Sequence, residues 1–166
     1  RTNRNILEYT LFVSYFPLLV AGPIERATHL LPQLKNKRNF NYQQGIQGLE
    51  LILWGFFKKL VIADTLAPFV AEFFNNPGNY NSATLILGVI AFAFQVYGDF
   101  SGYTDIARGV SKLFGIELLV NFRYPYFSRS IPEFWSRWHM SLSSWLNDYV
   151  FMPIALRFRG FGRHGI

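Results

Sequence analysis

The chain has 166 residues, 51% of them hydrophobic and 19% aromatic, and only 16% charged, where an ordinary soluble domain carries roughly 25%. Cysteine is absent, which excludes disulfide scaffolds and thiolate metal sites. The net charge of +6 comes without a long basic stretch interleaved with aromatics, so attraction to anionic lipid headgroups explains it more simply than nucleic-acid binding.

In chain order, the sequence starts at Arg1, shows no signal-peptide cleavage site and stops after the basic stretch RFRGFGRHGI. It reads as an internal piece of a longer membrane protein. Residues 6–24, ILEYTLFVSYFPLLVAGPI, are apolar apart from Glu8 and approach the roughly 20 residues of a span. Pro17 and the AGP triplet break the run, and Arg1, Arg4, Arg26, Lys35, Lys37 and Arg38 flank it on both sides. A clean crossing should show charge asymmetry. Two readings therefore stand level: a re-entrant or protein-buried segment, and a kinked ordinary span.

Residues 46–74 carry a long helical pattern interrupted by Lys58, Lys59 and Asp64, read as two helical pieces or one span with an interfacial extension. NNPGNYNS, residues 75–82, is a turn by composition. ATLILGVIAFAFQVYG, residues 83–98, is uncharged and gives the cleanest span, with Tyr97 suited to an interface. Positive-inside logic puts the 75–82 turn outside and the basic stretches at 35–38 and 108–129 in the cytoplasm. Residues 134–156 are apolar-rich but flanked by Arg123 and Arg129 on one side and Arg157, Arg159 and Arg163 on the other. A segment that leaves and returns on one side accounts for that.

Within that segment, Ser130-Ile131-Pro132-Glu133 has the form of a capping box. At 100° per residue, a continuous helix puts Trp135, Trp138, His139, Leu142, Trp145, Leu146 and Tyr149 on one side. Glu133, Arg137, Ser144, Asn147 and Asp148 fall on the other, with Glu133 and Arg137 spaced for an i,i+4 pair. His139 then lies at the edge of an aromatic face. It is either a packed core histidine or a neutral ring able to accept a proton, and pattern alone leaves both open.

Asp99 and Asp105, in GDFSGYTDIARG, follow directly on the uncharged run. Carboxylates at such a depth are costly and often functional; the simpler expectation is that Asp99 caps a helix N-terminus and Asp105 pairs with Arg108. Two carboxylates without histidine do not make a metal site. Gly98, Gly102 and Gly109 lack the strand and Lys-Ser/Thr of a phosphate loop and are expected to let helices approach closely. Lys58-Lys59 reads as an interfacial pair, and the Gly22-Pro23 break as carrying no chemistry of its own.

RWHMSLSSWLNDYVF (137–151), YFPLLVAGPIER (15–26), QVYGDFSGYTDIARG (95–109) and NFRYPYFSRSIPEFW (121–135) together resemble the membrane-bound O-acyltransferase family, and its bacterial alginate O-acetyltransferase branch in particular. The resemblance covers nearly the whole chain in family order. It implies an all-α integral membrane bundle with re-entrant or interfacial helices around a tunnel. Residues 1–166 would be one part of a single such domain whose C-terminal portion lies outside this chain. It implies acyl transfer, most simply of acetyl, from a thioester donor to a hydroxyl of an exported polysaccharide, at the inner membrane in a multi-pass protein.

Family members carry two histidines, one in an Arg-Trp-His segment and the other, regarded as the catalytic one, in a later Trp-His-Gly segment. His139 matches the first, and His164 in RHGI does not substitute for the second. The resemblance thus assigns His139 to the catalytic site. Arg137, Trp138, Trp135, Asp99, Asp105, Asn121 and Asp148 become residues that support the motif or line the tunnel. No metal and no bound cofactor is implied; acetyl-CoA or an acyl carrier serves as co-substrate. The implied partners are membrane lipid and a polysaccharide acceptor or a periplasmic acyltransferase, with no nucleic acid. Asn147, where many members have arginine, and MPIALRFRG, where a glycine-rich continuation is usual, depart from the pattern. The rivals are D-alanyl transfer to teichoic acid, within the same family, and a transporter or scaffold module in which His139 is structural.

Overall fold

The computed structural model describes residues 5–39 and 41–158. They form eight α-helices joined by turns, short 3₁₀ turns and two π-helical stretches, with no strand among the described residues. The chain divides into two units, one drawn from Arg1–Gly22 and Arg26–Leu118, the other from Pro23–Glu25 and Leu119–Ile166.

The first unit begins with α1 (Ile6–Val13), capped by the Asn5 side chain, followed by a 3₁₀ turn at Phe16–Leu18. Eight residues rise only about 12 Å, so the 6–24 segment is not one continuous membrane-length helix. Helix α2 (Ala27–Lys35) follows. It buries Leu30 and Leu31, and Leu30 joins Tyr15, Ile116 and Leu118 in a small apolar core.

Helix α3 (Tyr42–Phe56), capped by Asn41, continues through a π-helical stretch at Phe57–Ala63 into α4 (Asp64–Asn75). The 46–74 pattern is therefore one helical path with a widened turn at its lysines. The NNPGNYNS turn ends it, and Asn81 from that turn caps α5 (Ser82–Leu113) by accepting from the Thr84 amide at 2.9 Å. Helix α5 runs 32 residues, about 48 Å at 1.5 Å per residue. It is the one helix among the described residues long and apolar enough to cross a membrane. It stops in a Schellman motif: Gly115 takes φ +72°, its N–H bonds the Lys112 carbonyl and the Ile116 N–H bonds the Ser111 carbonyl.

Helices α3 and α5 pack antiparallel through facing glycines. A Cβ on Gly109 would lie 2.5 Å from the Gly48 carbonyl oxygen, and one on Gly55 would lie 2.6 Å from that of Gly102. Both pairs are seven residues apart on each helix, which keeps them on one seam. The contact is backbone to backbone, as the expected role of these glycines requires. The apolar half of α5 leaves Ile86, Leu87, Val89 and Ile90 exposed. Large contiguous apolar surface of this kind marks an interaction with lipid or protein.

One expectation for this unit is corrected. Asp99 does not cap a helix: α5 runs unbroken past Gly98, and Asp99 pairs with Lys59 at 2.6 Å. Lys58 and Lys59 each hold an acidic partner. Lys58 is buried and bonds Asp105 at 2.6 Å, while Lys59 reaches both Asp64 and Asp99. The widened π turn accommodates both lysines toward acidic partners, and such turns concentrate at special sites.

The second unit contains a 3₁₀ turn at Pro125–Phe127, then α6 (Ile131–Arg137), α7 (Met140–Leu146), a π-helical stretch at Asn147–Phe151 and α8 (Met152–Phe158). The expected continuous helix through the tryptophan segment is thus broken at Trp138-His139. Arg159, Arg163 and His164, on which part of the topology reading rests, lie outside the described residues.

Candidate functional site

The break at His139 has an identifiable cause. Ser130 caps α6 by accepting from the Glu133 amide. Glu133 turns back to accept from the Arg129 amide at 2.7 Å and binds Arg137 one turn on. This is the expected box with its second arm moved from Ser130 to Arg129. Beyond Arg137, other donors and acceptors replace the helical ladder. The Arg137 carbonyl accepts from the Arg123 amide at 3.0 Å, and the Met140 amide donates to the Asn121 carbonyl at 2.9 Å. The chain between them cannot stay helical while its backbone bonds residues 121–123.

His139 absorbs the turn. It takes φ +43° and ψ +53°, the left-handed region, which costs a non-glycine residue about 1–2 kcal/mol. Tyr124 in the facing loop does the same at φ +47°. Strain of this kind persists where the surroundings enforce it, and it clusters at functional sites.

Next to this turn lies a buried clasp. Asn121 is fully buried, and its Oδ1 accepts from the Ser141 hydroxyl at 2.8 Å and from the Ser141 amide at 3.3 Å. The Ser141 hydroxyl in turn accepts from the Ile24 amide at 2.9 Å. Glu25 adds a second tie by accepting from the Leu119 amide at 2.6 Å. The stretch after the Gly22-Pro23 break, read in the sequence as inert, therefore builds this site.

Around the histidine the aromatic rings pack in one cluster. Trp138 meets Phe122 edge to face at 5.0 Å and stacks on Phe134 at 5.6 Å; the Phe122 ring lies near-parallel to His139 at 6.4 Å. Half-burial among these rings pushes the His139 imidazole below its usual pKa of 6.5, because desolvation disfavours the cation. The ring is neutral at pH 7 and has one nitrogen able to accept a proton. A cleft of about 670 Å³ opens beside this junction, lined by Arg123, Tyr124, Glu133, Ser136, Arg137 and Met140. Two guanidinium groups with one carboxylate leave it net positive.

Of the residues singled out in the sequence, His139, Trp138, Arg137 and Asn121 meet at this junction. Trp135 contacts Phe134 at 5.2 Å but is largely exposed. Asp148 lies in the π-helical stretch, bonded by Asn147 at 3.3 Å; the break at Trp138-His139 already ends the 100° pattern that had grouped it with Glu133. Asp99 and Asp105 belong to the first unit and to its own ion-pair network; Asp105 holds Lys58 and, at 3.3 Å, Arg108. Among the described residues no group of three or more histidine, aspartate or glutamate side chains is placed to hold a metal. Ser141 and Glu25 were missed: a serine in a helical pattern reads as solvated, and nothing local tells that the helix breaks before it.

The sequence matches the family described as "MBOAT, membrane-bound O-acyltransferase family" over residues 1–166. It is 41% identical over 153 residues to the "Peptidoglycan O-acetyltransferase" of Helicobacter pylori, covering 91% of this chain and 29% of that protein. The "Probable alginate O-acetylase AlgI" of Pseudomonas aeruginosa is 41% identical over 153 residues, with the same two coverages. The "Teichoic acid D-alanyltransferase" of Bacillus subtilis is 34% identical over 145 residues, covering 85% of this chain and 36% of that protein. The chain thus spans about a third of the length of these relatives. Matched along its whole length, and helical with no strand among the described residues, the chain belongs to the membrane-bound O-acyltransferase family.

Proposed function

We propose that this chain is part of an inner-membrane O-acyltransferase that moves an acetyl group from a thioester donor to a hydroxyl of an exported polysaccharide. The observation that carries the reading is His139. A neutral imidazole is held in a strained backbone at the meeting of three buried segments, beside a positively charged cleft. The higher identity to acetyl-transferring relatives than to D-alanyl-transferring ones supports acetyl as the acyl group.

In this reading a histidine accepts the proton of the acceptor hydroxyl as its oxygen attacks the thioester carbonyl. The tetrahedral intermediate collapses with formation of the C–O ester bond and cleavage of the C–S bond, and the proton ends on the departing thiol. Buried N–H groups stabilise the oxyanion. His139 orients the reacting groups through its acceptor nitrogen. Arg123 and Arg137 suit the phosphate-bearing end of a donor such as coenzyme A.

The test expresses the full-length protein in membranes and supplies acetyl-labelled coenzyme A or a D-alanyl carrier thioester. Alkali-labile acetyl label on envelope polysaccharide supports the proposal. D-alanine incorporation in its place overturns the acyl-group assignment. Absence of both transfer and thioester consumption favours the transporter or scaffold reading.

A further inference from the structure

Three segments that lie far apart in sequence meet at one hydroxyl. Ser141 is 2% exposed; its Oγ donates to Asn121 from the 119–123 loop and accepts from the Ile24 amide just after the Gly22-Pro23 break. Two residues before it, His139 sits in the left-handed region. We propose that Ser141 and Asn121 are positioning residues that lock His139 in its strained conformation, and with it the ring that faces the reacting groups. This rests on the assignment of His139 to acyl transfer.

The hydrogen-bond directions fix the arrangement. The Ser141 amide can only donate, so the Asn121 atom it meets must be the carbonyl oxygen, which settles the orientation of the amide group. The Ser141 hydroxyl then has its proton committed to the same oxygen and a lone pair committed to Ile24. Every group of the serine near the turn is used.

The asparagine amide nitrogen is buried and has no partner among the described residues. A buried donor left unsatisfied costs about 1–3 kcal/mol. With the backbone strain at His139, two departures from local stability converge on one turn. A site selected only for packing would relieve both, by glycine at 139 and an apolar residue at 121. Their coexistence is what a positioning device requires: the clasp supplies the energy that holds a conformation the chain would otherwise leave.

Geometry at a reacting centre is sensitive, and a displacement of about 1 Å costs about 100-fold in rate. The clasp acts on orientation and not on binding, so kcat is expected to fall while KM holds.

The test uses the full-length protein in membranes with Ser141→Ala, Ser141→Thr and His139→Ala. Two readouts are taken at matched membrane abundance: acyl-transfer kinetics, and the rate at which diethyl pyrocarbonate modifies His139, followed by mass spectrometry. Ser141→Ala is expected to lower kcat by about 10- to 100-fold with KM unchanged, and to change the modification rate of His139. Ser141→Thr, which keeps the hydroxyl, is expected to recover both. Normal kcat in Ser141→Ala at normal abundance overturns the proposal, as does an unchanged modification rate. If His139→Ala keeps full activity, the assignment of His139 to catalysis fails instead, and the modification rate still decides whether the clasp holds the ring.

Discussion

Gly109→Ala tests the packing of α3 on α5 through a single methyl group. The added Cβ would meet the Gly48 carbonyl oxygen at 2.5 Å, the Ile52 Cγ1 at 2.7 Å and the Ile52 amide at 2.9 Å. Ordinary contact begins near 3.4 Å, so the deficit against the oxygen is 3.4 minus 2.5, or 0.9 Å. Two of the three obstructing atoms are backbone and cannot rotate away, so the helices must separate. Overpacking costs about 1–3 kcal/mol, and rigid neighbours put this case at the upper end. Alanine recovers about 1 kcal/mol of helix propensity over glycine, leaving a net loss of about 2 kcal/mol. For a domain of about 150–250 residues that would lower the melting temperature by about 4–8 °C, and by less in the longer full-length protein. Thermal melting of the detergent-solubilised full-length protein, followed by size-exclusion chromatography, measures it. Gly78→Ala is the control, since its Cβ meets nothing within 4 Å. Equal melting of Gly109→Ala and Gly78→Ala would show that the two helices do not meet at these glycines.

Three further outcomes follow from the same structure. Asp105→Ala strands the buried Lys58 beside Arg108 and is expected to cost about 3–5 kcal/mol, read as lost membrane abundance; the double variant Lys58→Met with Asp105→Leu should recover most of it. Burial lowers the His139 pKa, so its contribution to stability is fully present above pH 6.5 and is lost as pH falls through the lowered folded value. The acid limb of the acyl-transfer pH profile should accordingly lie below pH 6.5, and an acid limb above 6.5 would contradict the burial argument. Trp138→Phe, which removes part of a ring packed on Phe122 and Phe134, should lower abundance more than turnover per molecule, both measured on the same membranes.

The helices were legible in the sequence where a single face decided them. The uncharged run before Gly98 marked α5, the asparagines of the NNPGNYNS turn marked its start, and Ser130 with Glu133 marked the start of α6. The end of α5 was not legible. Asp99 and Asp105 look like boundaries in a hydropathy pattern, but α3 and its π turn bring lysines to them, and charge pairing lets the helix continue. The same limit hid the break at His139. Local periodicity favours a continuous helix from 130 to 149, and only the bonds from Asn121 and Arg123, 14 to 20 residues earlier, interrupt it. Ser141 and Glu25 were invisible for that reason, since their partners are set by tertiary contact and not by spacing. His139 itself was singled out by motif. Its backbone strain could not be read from residue type, because only a few per cent of non-glycine residues take positive φ.

The most direct test of the account is acyl transfer per molecule by the full-length protein carrying His139→Gln, with membrane abundance measured on the same preparation. Glutamine keeps a hydrogen-bonding side chain of similar reach but lacks the imidazole ring and its acceptor nitrogen. The account predicts near-normal abundance with transfer reduced about tenfold or more, equivalent to about 1.4 kcal/mol of transition-state stabilisation. Full transfer per molecule by His139→Gln would contradict it, leaving His139 as one more ring packed against Phe122.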